Sequence, residues 1–210
     1  MTRVVIADDH VLVRRGLAEL LHEMDDMQVA GEAGSGDDLL RIVRDERVDV
    51  VVMDMNMPGP SGLDLVKSLR AEFPKLPILV LSAHPEDQYA VRVVRAGAMG
   101  YLTKESAEQD LVDAVRRVSS GKRYLTQTLA ASLLDALDVD PDEDPHAALS
   151  DREYQVLRLI ASGITVGGIA ERLSLSVKTV STYRSRLLQK MGMSNNAEIT
   201  RYALENGLVD

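Results

Sequence analysis

The 210-residue chain contains no cysteine. Without cysteine it can form neither a disulfide framework nor a thiolate metal site, which fits a reducing cytoplasm. It also lacks an apolar run long enough to span a bilayer, and its first residues, MTRVVIADDH, lack the apolar stretch of a secretory signal. We therefore expect a cytoplasmic protein without a membrane partner.

The charge balance is acidic, with a formal net charge of −9 at pH 7. This value argues against nucleic-acid binding only if the charge is spread evenly. One segment, residues 178–190, contains four basic residues and no acidic residue. The chain is also 45% hydrophobic, which is ample for the core of one large domain or two small ones.

Two patterns alternate over residues 1–120. Short β-branched runs such as RVVIAD, DVVVMD and PILVLSA are separated by segments with helical periodicity, such as VLVRRGLAELLHEM. Five such runs, alternating with helical segments, predict a doubly wound α/β domain with a five-stranded parallel sheet. The first, third and fourth runs are nearly continuous in apolar residues, as expected for strands covered on both faces.

The composition changes after residue 122. A helical pattern, TQTLAASLLDAL, is followed by DVDPDEDPHAA, which is rich in aspartate and proline. We interpret residues 123–148 as a linker with one helix and a solvated acidic stretch. Residues 149–210 contain helical patterns only, with a Ser150–Glu153 capping box and glycines at the helix ends, so the chain is predicted to pair domain 1–122 with a small all-α domain.

Chemistry-bearing side chains follow the strands of the first domain. Asp8 and Asp9 follow the first strand, Asp54 ends the third, Ser82 ends the fourth and Lys104 follows the fifth. Because the carboxyl ends of parallel strands share one edge, where such sheets bind ligands, we expect these residues to lie together. Three carboxylates would repel one another there, and a hard divalent cation such as Mg²⁺ would relieve the conflict.

A carboxylate beside such a cation can act as a nucleophile toward phosphorus, with Lys104 pairing with the phosphoryl group and Ser82 hydrogen-bonding to it. Each residue alone has a plainer explanation, since an aspartate at a strand end is commonly a turn former. The combination favours a phosphoryl site. His10, His22 and His146 have no sequence partner that suggests metal or acid–base work, and we expect them to be surface or packing residues.

The segments IADDH, MDMNMPGPSGLDL, LVLSA and GAMGYLTKES resemble the receiver domain of two-component response regulators over about residues 1–120. The resemblance implies a flavodoxin-like fold, Mg²⁺ as cofactor and phosphorylation of Asp54 by a cognate histidine kinase. It implies direct metal ligation by Asp9 and Asp54, ligation by Asp8 mainly through water, and a further ligand in the main-chain carbonyl of Asn56. Ser82 and Lys104 would contact the phosphoryl group.

The same resemblance implies switch and tuning residues. Ser82 and Tyr101 are expected to move after phosphorylation, whereas the strand pattern alone is equally compatible with Tyr101 as a half-buried strand residue. Asn56 and His84 lie two positions after Asp54 and Ser82, at places where the family tunes loss of the phosphoryl group.

In the last domain, a short helical pattern, TVGGIAERLSL, precedes a longer helix that begins after Ser176. The longer helix is expected to bury Val177, Val180, Leu187, Leu188 and Met191 and to expose Lys178, Ser181, Thr182 and Ser185. A short helix, a turn and a basic helix form the helix-turn-helix pattern, in which the second helix enters the major groove of DNA. A basic helix face is also compatible with a merely solvated surface.

The segments LSDREYQVLRLIASG, IAERLSLSVKTVSTYRSRLLQKMG and AEITRYALENGL resemble the four-helix LuxR-type DNA-binding domain. Joined to a receiver, this domain is similar to the NarL/FixJ class of transcriptional regulators. The resemblance implies binding to promoter half-sites in double-stranded DNA as a homodimer that phosphorylation favours, with residues 195–206 at the dimer contact. It places Lys178, Thr179, Ser181, Thr182 and Ser185 near bases, and Tyr183, Arg184 and Lys190 near phosphates.

One departure from the family concerns the first helix of the motif. Where the family commonly has a polar triplet, this chain has Val166, Gly167 and Gly168. Each helical glycine costs up to about 1 kcal/mol relative to alanine. A phosphate-contacting lysine is also absent, so we expect weaker DNA contacts from this helix.

Two other functions stay open at this stage. One is a Mg²⁺-dependent phosphohydrolase with Asp54 as nucleophile, but such enzymes often carry a second acid two residues later, where this chain has Asn56. We therefore expect no enzyme that acts on a separate substrate. The other is a dimerisation platform that never receives phosphate, against which the complete acid, hydroxyl and lysine set argues.

Overall fold

The computed structural model describes residues 1–55, 57, 62–82, 88–138, 145–173 and 175–209 of the chain. The chain divides into two compact units, Met1–Leu134 and Asp135–Asp210. The predicted domain limits, 1–122 and 149–210 around a 123–148 linker, stay predictions.

The first unit is a five-stranded parallel sheet with helices, as the alternating sequence pattern predicts. In sequence order the strands are β1 (Thr2–Ala7), β2 (Met27–Ala33), β3 (Val50–Asp54), β4 (Ile78–Ser82) and β5 (Gly100–Thr103). Their spatial order is β2-β1-β3-β4-β5, and all adjacent pairs are parallel. The helices are α1 (Val11–His22), α2 (Gly36–Asp45), α3 (Gly62–Glu72), α4 (Gln88–Arg95), α5 (Ala107–Ser119) and α6 (Gln127–Asp138), the last of which runs across the boundary at Leu134.

The core of this unit lies on both faces of the central strands. Every residue of β3 and β4 is buried, which explains why these segments are apolar almost throughout. Side chains from β1, β3 and β4 pack in one cluster with the buried faces of α1 and α5, for example with Leu17 and Leu111. At the β1–β2 pair the register shifts between Val4 and Val5.

In its described residues, the second unit contains four complete α-helices after a short 3₁₀ helix at Pro145–Ala148. These are α7 (Asp151–Ala161), α8 (Val166–Arg172), α9 (Val177–Met191) and α10 (Asn196–Glu205). The helix α7 contacts α9 and α10, and α8 contacts α9. The predicted capping box of Ser150 and Glu153 is present, Ser176 caps α9 through the Thr179 amide, and Gly192 ends α9 with a φ of 64°.

The 3₁₀ helix Pro145–Ala148 lies within the second unit. Residues 139–144 lie outside the described residues, but His146 is buried within the second unit. Its Nδ1 lies 2.8 Å from the Tyr202 hydroxyl oxygen, and its ring packs near Tyr154. Through His146, the segment Pro145–Ala148 therefore packs against helices of the second unit.

No helix in the described parts of the chain combines the length and the apolar character needed to cross a membrane.

Candidate functional sites: an acidic pocket and a basic helix

The sheet topology brings the predicted pocket residues to one edge. Asp8 follows β1, Asp54 is the last residue of β3, Ser82 is the last residue of β4 and Lys104 follows β5. All four strands are parallel, so their carboxyl ends meet there. The Lys104 amide donates to the Ser82 carbonyl oxygen at 2.8 Å, which extends the ladder by one residue and fixes the start of the lysine side chain.

Lys104 lies between two buried carboxylates. Its Nζ is 2.6 Å from Asp8 Oδ2 and 3.1 Å from Asp54 Oδ1, and the side chains of Asp8 and Asp54 are 0% and 3% exposed. Burial by itself lowers the pKa of Lys104, but Asp8 and Asp54 outweigh it and raise this pKa above its ordinary value. The ammonium group therefore offsets part of the repulsion between the acids, a role that the sequence assigned to a metal ion alone.

Asp9 and His10 form the exposed rim of the same pocket. His10 Nδ1 lies 2.8 Å from Asp9 Oδ1 and 3.2 Å from Asp8 Oδ1, and the His10 amide donates to Asp8 Oδ1 at 2.8 Å. His10 is exposed, as expected for a surface residue, but its ring lies against both aspartates, which the sequence analysis did not anticipate. Its position directly after two aspartates at a strand end was a signal that sequence reasoning passed over.

The donor set of the pocket suits a hard divalent cation. Ligand atoms of Asp8, Asp9 and His10 all lie within 4.8 Å of one another. The carboxylate of Asp54 shares the Lys104 ammonium with Asp8, which brings a third acid to the group. Carboxylate oxygens are the ligands that Mg²⁺ prefers, so these residues fit the predicted cofactor. Asn56 and His84 lie outside the described residues, as do residues 58–61 of the turn after β3.

Ser82 and Tyr101 are both fully buried at 0% exposure. They lie on neighbouring strands, with Ser82 opposite Thr103 and Tyr101 opposite Val80 in the β4–β5 register. Tyr101 is thus more buried than the half-buried residue that the strand pattern alone suggested. The expected switch function of the two residues stays a prediction.

In the second unit, α8 and α9 are arranged as the helix-turn-helix pattern predicts. Val180 and Leu187 of α9 are buried, and Leu188 and Met191 are half-buried. Val177 is 55% exposed, so its predicted place in the apolar stripe is wrong, because the first residue of the helix lies beyond the packed face. Lys178, Ser181, Thr182 and Ser185 are exposed, as expected.

Several side chains of α9 are engaged within the unit. The hydroxyls of Thr182 and Ser185 donate to the carbonyls of Lys178 and Ser181, and the Thr179 hydroxyl lies 2.7 Å from the Ser176 hydroxyl. The Thr182 and Ser185 bonds reach the carbonyl four residues earlier, a common local pattern for hydroxyl side chains in helices. Tyr183 is half-buried.

Two basic residues of α9 have partners on other helices. Arg184 Nε donates to Asn196 Oδ1 of α10 at 2.6 Å. Lys190 Nζ donates to Glu153 Oε2 of α7 at 2.7 Å and to the Ala148 carbonyl at 3.3 Å. Lys178, by contrast, makes no side-chain hydrogen bond or ion pair with any residue that the structure describes. The sequence did not show which basic side chains of α9 bind to neighbouring helices and which do not.

Two family models match the chain: the response regulator receiver domain over residues 4–116 and the luxR family of bacterial regulatory proteins over residues 147–203. The sheet with its acidic edge is a receiver, and the four-helix unit is a LuxR-type domain. The chain belongs to the two-component response regulators of the NarL/FixJ class, a family of transcription regulators.

Similar proteins match along nearly the whole chain. Response regulator UvrY of Escherichia coli strain K12 is 39% identical over 209 residues, which cover 99% of this chain and 96% of UvrY. Response regulator GacA of Pseudomonas aeruginosa PAO1 is 36% identical over 211 residues, which cover 100% of this chain and 99% of GacA.

Among solved structures, RcsB from Salmonella enterica serovar Typhimurium bound to promoter rprA in the presence of phosphomimetic BeF₃⁻ matches with a TM-score of 0.63 and 27% identity. The match covers 96% of this chain and 97% of the RcsB chain. A two-component response regulator RcsB–DNA complex matches with a TM-score of 0.61 and 29% identity, and covers 96% of each chain.

Proposed function

We propose that this response regulator accepts a phosphoryl group on the Asp54 carboxylate from a phosphohistidine of a cognate histidine kinase, and that phosphorylation changes its dimerisation and its binding to DNA. The observation that carries the proposal is the Lys104 ammonium group held 2.6 Å from Asp8 and 3.1 Å from Asp54 at the carboxyl edge of the sheet. A buried acid with an adjacent cation is suited to receive an anionic group there.

The transfer is a displacement at phosphorus. A carboxylate oxygen of Asp54 forms the new bond to phosphorus, the bond from phosphorus to the histidine nitrogen breaks, and its electron pair returns to the imidazole. The product is an aspartyl phosphate. Lys104 then pairs with a phosphoryl oxygen instead of the Asp54 carboxylate, and the Ser82 hydroxyl donates to another.

Asp8, Asp9 and Asp54 are the residues that would hold Mg²⁺, together with the Asn56 carbonyl predicted from the family. When bound, the ion would neutralise negative charge that gathers on the phosphoryl oxygens. Of the protein's own groups, Asp54 supplies the nucleophile and Lys104 supplies the fixed positive charge. The acidic set of Asp8 and Asp9 keeps the pocket attractive to a divalent cation.

Phosphorylation replaces the Asp54 carboxylate charge of about −1 with a phosphoryl charge of about −1.5 to −2 at neutral pH, so the buried site becomes more negative. Ser82 and Tyr101 move in response and change the surface built by β4, β5 and their helices. Two receivers that pair through the changed surface bring two DNA-binding units to adjacent half-sites. The α10 helix adds a contact between those units.

We propose that α9 enters the major groove with Lys178, Thr179, Ser181, Thr182 and Ser185 near base edges. Tyr183, Arg184 and Lys190 contact phosphates, and Lys190 contributes least because Glu153 already holds its ammonium group. The similarity of this chain to RcsB, which has been solved bound to DNA, supports a DNA-binding role for this unit. A regulator that meets a kinase and a promoter works in the cytoplasm, and it turns over no substrate besides its own phosphoryl group.

The proposal is tested by phosphorylation of the purified full-length chain with phosphoramidate and Mg²⁺, since this donor carries the same phosphorus–nitrogen bond as phosphohistidine. Asp54→Ala should take up no phosphoryl group and should keep the fold. The matched control is Asp113→Ala, because Asp113 is an acid of the same unit with a side chain that is 84% exposed. Uptake by Asp54→Ala would assign the acceptor to another residue.

A second measurement tests the output. Genome-wide DNA pull-down with the phosphorylated and unphosphorylated chain should recover promoter fragments more strongly after phosphorylation, and Asp54→Ala should remove the difference. Equal recovery in all three samples would show that the chain binds DNA but that phosphorylation does not regulate this binding.

A further inference from the structure

We propose that Arg14 is a positioning residue of the acidic pocket: it holds the main chain at Asp8 and thereby places the Asp8 and Asp9 carboxylates for a divalent cation. The inference rests on the proposed function of this pocket. It concerns a residue of α1 that contributes no ligand atom to the acidic group.

The guanidinium of Arg14 joins three elements of the fold. Its Nη1 donates to the Asp8 main-chain carbonyl at the end of β1, and its Nε donates to Glu32 Oε2 of β2 at 3.0 Å. The arginine side chain is 16% exposed, so the group is largely packed between these partners. A planar guanidinium bound at two nitrogens has one orientation, which makes it a rigid support.

The Asp8 carbonyl needs such a support because the sheet no longer provides one. The β1–β3 and β1–β2 ladders end at Ala7, and beyond them the Asp8 amide still donates to the Ala33 carbonyl at 3.1 Å. The carbonyl of Asp8 belongs to the peptide plane that continues into Asp9. Arg14 therefore sets the direction in which the chain leaves the strand.

The side chains beyond this peptide depend on that direction. The buried Asp8 carboxylate must meet Lys104, and the Asp9 carboxylate is 34% exposed, with His10 Nδ1 at 2.8 Å as its near neighbour. A rotation of the peptide plane would move both carboxylates at once. Positioning of ligands by outer residues commonly changes metal affinity by 10- to 100-fold.

The direction in which Mg²⁺ affinity changes when Arg14 is replaced distinguishes a positioning function from a purely electrostatic one. Arg14 is a cation close to a cation site, so removal of its charge alone would tighten Mg²⁺ binding. Loss of the hydrogen bond that supports the Asp8 carbonyl would instead weaken Mg²⁺ binding. Glu32, whose side chain is 42% exposed, orients the guanidinium and compensates its charge.

The test is a Mg²⁺ titration of the full-length chain at constant ionic strength, followed by the amide resonances of the pocket, for Arg14→Gln, Arg14→Lys, Glu32→Gln and the double variant. The matched control is Arg15→Gln, because Arg15 is the next residue of α1, is exposed, and makes no side-chain bond with the residues that the structure describes. Thermal unfolding of each variant separates loss of fold from loss of affinity.

Arg14→Gln should raise the Mg²⁺ dissociation constant by about tenfold while Arg15→Gln changes it by less than about twofold. Arg14→Lys should recover part of the affinity, since lysine keeps a cationic N–H donor on a side chain of similar length. Glu32→Gln should show a smaller loss, and the double variant should bind no more weakly than Arg14→Gln, because Glu32 acts through Arg14. If Arg14→Gln does not fold, Arg14→Lys and Glu32→Gln must still weaken binding at an unchanged melting temperature.

Unchanged or tighter Mg²⁺ binding by a folded Arg14→Gln chain overturns the inference, as does an equal loss in Arg15→Gln. These results leave the proposed function intact if the wild-type chain binds Mg²⁺ and becomes phosphorylated on Asp54. A wild-type chain that binds no Mg²⁺ overturns both.

Discussion

Lys190 Nζ lies 2.7 Å from Glu153 Oε2, and this pair joins the end of α9 to the start of α7. The Glu153 side chain is 3% exposed, whereas that of Lys190 is 42% exposed. The same carboxylate oxygen accepts from the Ser150 amide at 2.8 Å as part of the capping box. One carboxylate therefore caps α7 and also fixes the DNA-binding helix against it.

Lys190→Met should destabilise the second unit more than an equivalent change elsewhere on α9. It leaves a buried carboxylate without its counter-charge, and the cost is about 2 kcal/mol, below the usual range for fully buried pairs because Lys190 is partly exposed. Urea titration of the full-length chain, followed by amide resonances of α7 and α9, measures the unfolding free energy of this unit. Lys178→Met is the control, and equal midpoints for the two variants would contradict the assignment.

The Glu153 carboxylate also predicts a pH dependence. Burial opposes its ionisation, but hydrogen bonds from Lys190 and Ser150 outweigh burial, so the pKa of Glu153 lies below its ordinary value of 4.5. A carboxyl group with a depressed folded-state pKa stabilises the fold above the unfolded-state pKa, and this stability is lost as the pH falls through the folded-state pKa. The urea midpoint of the second unit should therefore fall as the pH drops below about 4.5. Glu153→Gln should lack this loss of stability at low pH. If its urea midpoint fell with pH in parallel with that of the wild type, the pH dependence would not come from Glu153.

Gly167→Ala should stabilise the second unit, whereas Gly168→Ala should not. A Cβ at Gly167 would meet only the Thr165 hydroxyl oxygen, at 4.0 Å, and alanine gains about 0.5 to 1 kcal/mol over glycine in a helix. A Cβ at Gly168 would lie 3.1 Å from Ile164 Cγ2, so crowding offsets the gain. Urea midpoints of the two single variants measure the difference directly. An equal gain in stability at both positions would mean that the Ile164 side chain moves aside with no loss of stability.

Arg184→Ala should weaken binding to promoter DNA across sequences and should reduce the slope of log affinity against log salt by about one. The reason is the loss of one phosphate contact with its released counterion. The slope is measured by fluorescence anisotropy with a labelled promoter fragment between low and physiological salt. Arg47→Ala, which removes an arginine of the first unit that is 84% exposed, is the charge-matched control. A wild-type slope in Arg184→Ala would remove Arg184 from the set of phosphate contacts.

The elements of both units were predictable because their signals are local. The alternation of β-branched runs and helical periods located five strands, and the capping box at Ser150 and Glu153 marked the start of α7. The gathering of Asp8, Asp54 and Lys104 also followed from sequence, since parallel strands present their ends at one edge.

The individual hydrogen-bond partners across long sequence separations were not predictable, even where the residues were expected to lie together. Lys104 is 96 residues from Asp8, and Lys190 is 37 residues from Glu153. Sequence periodicity also placed Val177 in the core, but Val177 is 55% exposed. A periodic pattern shows which residues share one face of a helix, but it does not show where along the helix the packing begins.

The sequence by itself determined the succession of strands and helices along the chain, the edge of the sheet at which the acids gather and the class of protein. These features depend on residue type and local spacing. Only the tertiary structure decided that Lys104 is shared by two acids, that His10 belongs to the pocket and that Glu153 holds Lys190. Those pairings arise from the distances between packed elements, and a hydrogen bond forms only where its two atoms come within about 3 Å.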